Sequence, residues 1–204
     1  MSDLSRREFF VQSGLYGGSL WMLLGARPRA AQAAQESARP EVLTEAQWKT
    51  VEAVTGRIIP TDHEPGAIEA NCVNFVDKAL AHEDAKLKPT YLQGIAGLDA
   101  VSARRFSKPF VELGPEQQYE ILAAVESGKA EGWPAGGVGG AEFFGVVRMH
   151  TLIGFLADPK HGGNRGYAGW KVVGYPGGGH HLGGYSPAQM MGEAKVDTAW
   201  GEKV

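Results

Sequence analysis

The chain has 204 residues, 20 Lys and Arg against 23 Asp and Glu, a net charge of −3 and a single cysteine. That length suits one domain with a core of its own, and the mild acidity leaves no electrostatic case for nucleic acid or an anionic membrane surface. A lone Cys72 excludes an internal disulfide and any all-Cys zinc or iron–sulfur site.

Residues 1–33 read as an address and not as part of the fold. Ser5-Arg6-Arg7-Glu8-Phe9 places paired arginines just before an apolar stretch that runs to Leu24 and is diluted by Gln12, Ser13, Gly14, Gly17 and Gly18. Ala31-Gln32-Ala33 then offers a small-x-small cleavage site. This is the pattern of a twin-arginine signal, whose machinery passes folded cargo; Ser5, Arg6, Arg7 and Phe9 are its determinants. An uncleaved anchor is the alternative, although Glu8 and Gln12 interrupt the span. Removing the segment takes away four arginines against Asp3 and Glu8, so the net charge moves from −3 to −5. The mature chain is expected in the periplasm, with Cys72 either buried or bridged to another chain. Its place on an apolar helix face favours burial.

A helical body is expected over 34–160. Thr44-Glu45-Ala46-Gln47 is a capping box, followed by Trp48, Val51, Val54 and Ile58 on one face and by Pro60 as a stop. Beyond the Pro65-Gly66 turn, Ile68, Cys72, Phe75, Val76, Ala79 and Leu80 recur at helical spacing, with Glu69, Asn74, Asp77 and Lys78 expected to face away. Pro89 starts a third helix carrying Tyr91, Leu92, Ile95, Leu98 and Val101, and Pro115 a fourth that stops at Gly128. From Ala141 to Ala157 the chain is apolar almost all round, as befits a central buried helix. The fold class is therefore all-α, a compact bundle of about five helices.

A long Gly-rich irregular C-terminal arm is expected over 161–204. Of the 29 glycines, 17 fall between Gly132 and Gly184. Such a segment does not propagate a helix, yet it carries Tyr167, Trp170, Tyr175 and Tyr185, side chains a floppy linker does not need. They imply ordering against something, either the chain's own helices or a partner.

Reactive chemistry is sparse. Gly137-Val138-Gly139-Gly140 begins like a dinucleotide fingerprint but lacks the third glycine and a preceding strand. There is no paired-Cys haem site, no His-Glu-x-x-His and no nucleophile elbow. His161, His180 and His181 are the one candidate metal or ligand set, and their spacing is irregular. They would support an alternative reading as a free-standing periplasmic binding protein.

The leader, Arg57-Ile58-Ile59-Pro60-Thr61-Asp62 with Pro65-Gly66-Ala67, Asp158-Pro159, Gly162-Gly163-Asn164-Arg165, Gly169-Trp170-Lys171 and Gly174-Tyr175-Pro176-Gly177 occur in that order. Together they resemble the gluconate 2-dehydrogenase subunit 3 family. The resemblance implies a complex with a large FAD-binding subunit that oxidises a sugar, polyol or sugar acid, and a multi-haem cytochrome c that passes electrons to the membrane. It implies no catalytic residue and no cofactor on this small subunit, which supports maturation of the large one and its passage through the twin-arginine machinery. The arm would then hold the partner through Asn164, Arg165, Tyr167, Trp170, Tyr175 and Pro176, with Arg165, Trp170 and Tyr175 as anchors on residue type.

Overall fold

The computed structural model describes residues 40–177 and 184–204. The leader residues Ser5, Arg6, Arg7 and Phe9, and also His180 and His181, lie outside the described residues. Those described form seven α-helices and no strand.

The first helix, α1 (Glu45–Ile58), opens with the capping box read from the sequence: Gln47 N donates to Thr44 Oγ1 at 3.3 Å and Thr44 N donates to Gln47 Oε1 at 2.9 Å. It is followed by α2 (Cys72–Ala81), α3 (Lys88–Phe106), α4 (Pro115–Glu126) and α5 (Gly140–Leu156). Pro89 and Pro115 sit in the first turns of α3 and α4, where a missing N–H costs nothing. Helix α4 ends before Gly128, which takes φ +69°.

α5 is the hub, packed against each of the other four. Tyr91, Leu98, Ile121, Val125, Phe143 and Val147 belong to the main core, which α1 to α5 share. Its outer face is another matter: Met149 and Ile153 remain 57% and 41% exposed, so the helix is central without being enclosed.

Two expectations need correction. Helix α2 does not reach back to Ile68. Asn71 adopts the left-handed conformation (φ 56°, ψ 41°) and breaks the register, and Ile68 lies in the turn before it, 40% exposed. Asn74 and Asp77 do not face solvent; they are 6% and 1% exposed. Asp77 accepts hydrogen bonds from the backbone N–H groups of Glu41 (2.5 Å), Val42 (3.2 Å) and Leu43 (2.8 Å), fastening the start of the described chain to α2. Alternation of polar and apolar types places a residue on a face, but it does not say which polar residues will find backbone partners there.

The C-terminal arm holds more regular structure than its glycines suggest. Short 3₁₀ turns at Pro159–His161 and Arg165–Tyr167 lead into α6 (Ala168–Val173), and α7 (Pro187–Met190) follows. Tyr167 (φ 61°) and Gly174 (φ 70°) bound α6, both in the left-handed region, which confines it to six residues. The last nine residues double back, with Val196 and Val204 exchanging N–H···O bonds of 2.8 and 3.0 Å.

Candidate functional site: the arm end of the bundle

The two segments that carry the sequence motifs, separated by about 100 residues, meet at one end of the bundle. Ile59, Ala67, Ala70, Cys72, Phe155 and Ala168 form a second buried cluster, with Ile58, Leu152, Leu156 and Val172 at its edge. The turn after α1 is drawn in by Ala67 N donating to Ile59 O (2.8 Å), an approach that Gly66 permits, since a Cβ there would sit 2.5 Å from the same oxygen. The Glu69 carboxylate secures this turn by accepting from Thr61 Oγ1 (2.6 Å) and Gly66 N (2.9 Å). These hydrogen bonds, that from Thr61 foremost, hold its carboxyl below the usual range.

The arm then closes over the C-terminus of α5, where the last carbonyls of a helix lack intrahelical donors. Asn164 is fully buried in the left-handed conformation (φ 45°). Its amide bridges two elements: Nδ2 donates to Ala157 O (2.8 Å) and Oδ1 accepts from Gly169 N (2.9 Å), so one side chain caps the end of α5 and the start of α6. Trp170 Nε1 donates to Leu156 O at 2.6 Å. Gly163 and Gly169 lie backbone against backbone on α5; a Cβ would land on the carbonyl of Gly154 at the first and of Phe155 at the second. Asn74 Nδ2 donates to Gly162 O (2.8 Å), tying the arm to α2 as well.

Arg165 reaches the other way. Its N–H donates to Ala70 O (3.0 Å), Nε to Glu69 O (3.1 Å) and Nη2 to Ile68 O (3.5 Å), while the side chain stays exposed. Tyr167, Trp170, Tyr175 and Trp200 gather into one half-buried aromatic group, with centroids 5.4 Å apart for Tyr167–Trp170, 4.9 Å for Trp170–Tyr175 and 5.8 Å for Tyr167–Trp200. Burial pushes the Tyr167 and Tyr175 hydroxyls up from their ordinary range, and the negative charge of Asp158 adds to it. Pro176 O accepts from Ala199 N (2.7 Å) and Lys171 Nζ lies 5.3 Å above the Trp200 ring, so the C-terminal tail closes the group.

Of the two ways open for ordering the arm, contact with the chain's own helices is what the structure displays. Asn164 is consumed inside the chain and has no polar atom left for a partner. Arg165, Tyr167, Trp170, Tyr175 and Pro176 keep part of their surface. Cys72 is a free thiol at 0% exposure, its pKa raised by burial.

A family profile described as Gluconate 2-dehydrogenase subunit 3 matches residues 45–177. The chain belongs to that family. The match runs from the first residue of α1 to Gly177, part-way along the arm, and it contains both segments that build the second cluster. No curated protein and no solved structure matches the chain.

Other candidates resolve differently. His161 is exposed on its 3₁₀ turn, and among the described residues no three His, Cys, Asp or Glu side chains converge as metal ligands. The Gly137–Gly140 run follows no strand: Val138 N donates to Gln93 Oε1 (2.9 Å) and Gly139 is the N-cap residue of α5.

One polar constellation escaped the sequence. His150 of α5, 4% exposed, stacks on the fully buried Tyr91 of α3. The Tyr91 hydroxyl lies 3.0 Å from Nδ1 and Asp84 Oδ2 3.2 Å from Nε2, the pattern of a neutral imidazole accepting from Tyr91 and donating to Asp84. Burial lowers the His150 pKa, partly countered by Asp84, and raises that of Tyr91 well above its ordinary value. The trio ties α5 to α3 and to the loop before it. An isolated His on an apolar helix face gave no sign that Tyr91 and Asp84 would converge on it.

Proposed function

We propose that this chain is the non-catalytic small subunit of a membrane-associated, FAD-dependent dehydrogenase of sugars, polyols or sugar acids. In this reading it brings the twin-arginine address of the complex and supports maturation and stability of the large flavoprotein subunit in the periplasm. FAD belongs to the large subunit and haem c to a multi-haem cytochrome c subunit that takes the electrons onward.

The observation that carries the reading is the family match together with the use to which the matched residues are put. Asn164 and Trp170 hydrogen-bond backbone groups at the end of α5 and the start of α6, Gly163 and Gly169 let the arm lie close against α5, and Glu69 and Gly66 hold the facing turn. Residues that build an end surface in this way suit a subunit whose task is to present a shape, with the chemistry placed on a companion. A folded-cargo route also suits a companion that must receive FAD before it leaves the cytoplasm.

The test is the double variant Arg6→Lys with Arg7→Lys, expressed with the large subunit. The expected result is that both chains stay in the cytoplasm, measured by immunoblot of periplasmic and cytoplasmic fractions. A large subunit that reaches the periplasm at its normal level refutes the escort role.

A further inference from the structure

We propose that the cavity between the C-terminal ends of α3 and α4 binds a small hydroxylated anion, a sugar carboxylate or a sugar phosphate. The site belongs to this chain alone and does not depend on the subunit reading.

The cavity measures about 390 Å³ and is open to solvent. That volume lies within the range of about 300–1,000 Å³ usual for small-molecule sites. Val101 of α3, Ala124 of α4 and Ala130 of the loop after α4 give it an apolar part. Its charged part comes from Arg104 and Arg105 in the last turn of α3 and from Lys129 and Glu131 in the loop. Three cations against one acid make a local excess of positive charge, in a chain whose net charge is −3.

Two of the cations are not used up. Arg105 is paired with Glu120 of α4. Arg104 and Lys129 have no ion-pair partner among the described residues, although Glu131 shares their cavity. Nor are they needed to close the helix ends, where the last carbonyls call for donors. The loop after α4 serves those of α4 itself: Ala123 O accepts from Ser127 N (3.1 Å), Ala124 O from Lys129 N (2.8 Å) and Val125 O from Gly128 N (3.0 Å). Ser107 N serves Ala103 O of α3 (2.9 Å). The loop is also in place before a ligand arrives. Trp133 N donates to Ala130 O (3.2 Å) and its indole Nε1 to Val138 O (2.9 Å), while the ring lies so close to α3 that a Cβ on Gly97 would meet it at 2.7 Å. Gly132, at φ +88°, leaves room for the Arg104 stem: a Cβ there would sit 2.7 Å from Arg104 Cδ. A pre-set wall of this kind spares the ligand part of the ordering cost of binding.

The lining selects the ligand. A guanidinium fork and an ammonium group recognise carboxylate or phosphate oxygens. Glu131 adds a carboxylate that accepts hydrogen bonds and repels a bare anion, so it favours a ligand whose body carries hydroxyl donors. Val101, Ala124 and Ala130 suit the C–H surface of a sugar. An inorganic anion fits worse, since it fills little of the cavity and offers Glu131 nothing.

The full chain is titrated at low ionic strength with D-glucuronate, glucose 6-phosphate, inorganic phosphate and neutral D-glucose, followed by calorimetry and by backbone amide shifts. At least one sugar anion is expected to bind saturably and at least tenfold tighter than glucose or inorganic phosphate, with the shifts confined to 101–105 and 124–133. The tighter of the two tells whether the preferred head is carboxylate or phosphate. Arg104→Gln with Lys129→Gln should weaken that binding at least tenfold, while Lys86→Gln, which removes an exposed charge elsewhere, changes it less than twofold. Glu131→Gln should narrow the lead of the sugar anion over inorganic phosphate. Circular dichroism checks the fold of each variant, and if the double variant does not fold the wild-type shift map decides. The proposal is overturned if neither sugar anion binds saturably, if the shifts fall outside the cavity, or if a folded double variant binds undiminished. Inorganic phosphate or glucose binding as tightly as the sugar anions overturns it too. None of these results bears on whether the chain is a dehydrogenase subunit.

Discussion

Asn164→Ala is the sharpest test of how the arm is held. The substitution strips a hydrogen bond from two buried backbone groups, Ala157 O and Gly169 N, which the amide reaches at 2.8 and 2.9 Å. Each group left without a partner costs about 1–3 kcal/mol. Alanine must also adopt φ 45°, a left-handed conformation that asparagine tolerates and alanine does not, for about another 1 kcal/mol. The total is about 3–7 kcal/mol, which for a domain of this size lowers Tm by roughly 6–28 °C. If the arm opens before the bundle does, the loss appears instead as local unfolding, with new thermolysin cuts confined to 160–177. Asn164→Asp separates the two bonds. It keeps an acceptor for Gly169 N but sets a carboxylate against Ala157 O, so it should be destabilised at pH 7. It should recover part of the loss as pH falls, because only the protonated acid can donate to that carbonyl. Thermal melts and limited proteolysis of both variants are the assays. An Asn164→Ala chain that melts within about 2 °C of wild type, with an unaltered cleavage pattern, refutes the claim that this amide joins α5 to α6.

Gly169→Ala should be at least as severe, about 3 kcal/mol or more, since its methyl group would fall on the Phe155 carbonyl and backbone cannot swing aside; chemical denaturation measures it. Asp77→Asn should release the start of the domain, raising hydrogen exchange at the Glu41, Val42 and Leu43 amides at least tenfold while amides of α3 keep their rates. His150 has a folded-state pKa below its unfolded value of about 6.5, so the unfolded chain binds more protons and the neutral imidazole contributes stability in full only above that pH. Wild type should therefore lose urea stability between pH 7.5 and 5.5, and His150→Phe should lose markedly less over the same interval. Cys72 should resist a thiol reagent such as DTNB in the native chain and react in full in denaturant; rapid native labelling would show that the second cluster opens.

The bundle was legible because its signals are local. Thr44 with Gln47, Pro89 and Pro115 mark helix starts, and their partners lie within one turn of sequence. The arm was legible only as a paradox, too rich in glycine for a helix and too aromatic for a linker. Its resolution depends on contacts between residues far apart in the chain. Gly163 and Gly169 are glycine because α5 lies directly beneath them, and that helix is identified as their neighbour only in three dimensions. The same holds for Asp77 and Asn74, which an amphipathic pattern sends to solvent and the fold assigns to the backbone of Glu41–Leu43 and Gly162. His150, Tyr91 and Asp84 are a third instance.

The long-range contacts also explain why the two motif segments belong to one site. The Ile59–Gly66 turn and the Gly162–Gly177 arm share no chemistry as sequences. Each supplies what the other lacks around Phe155: the turn gives Ile59, Ala67 and Ala70, and the arm gives Ala168 and the donors for the open carbonyls of α5. Arg165 then joins arm to turn through Ile68 O, Glu69 O and Ala70 O, while the Glu69 carboxylate holds Thr61 and Gly66. Removing either segment would expose the other's apolar face, so the end surface forms as a unit or not at all. Any partner that bound this surface would therefore bind only the folded chain.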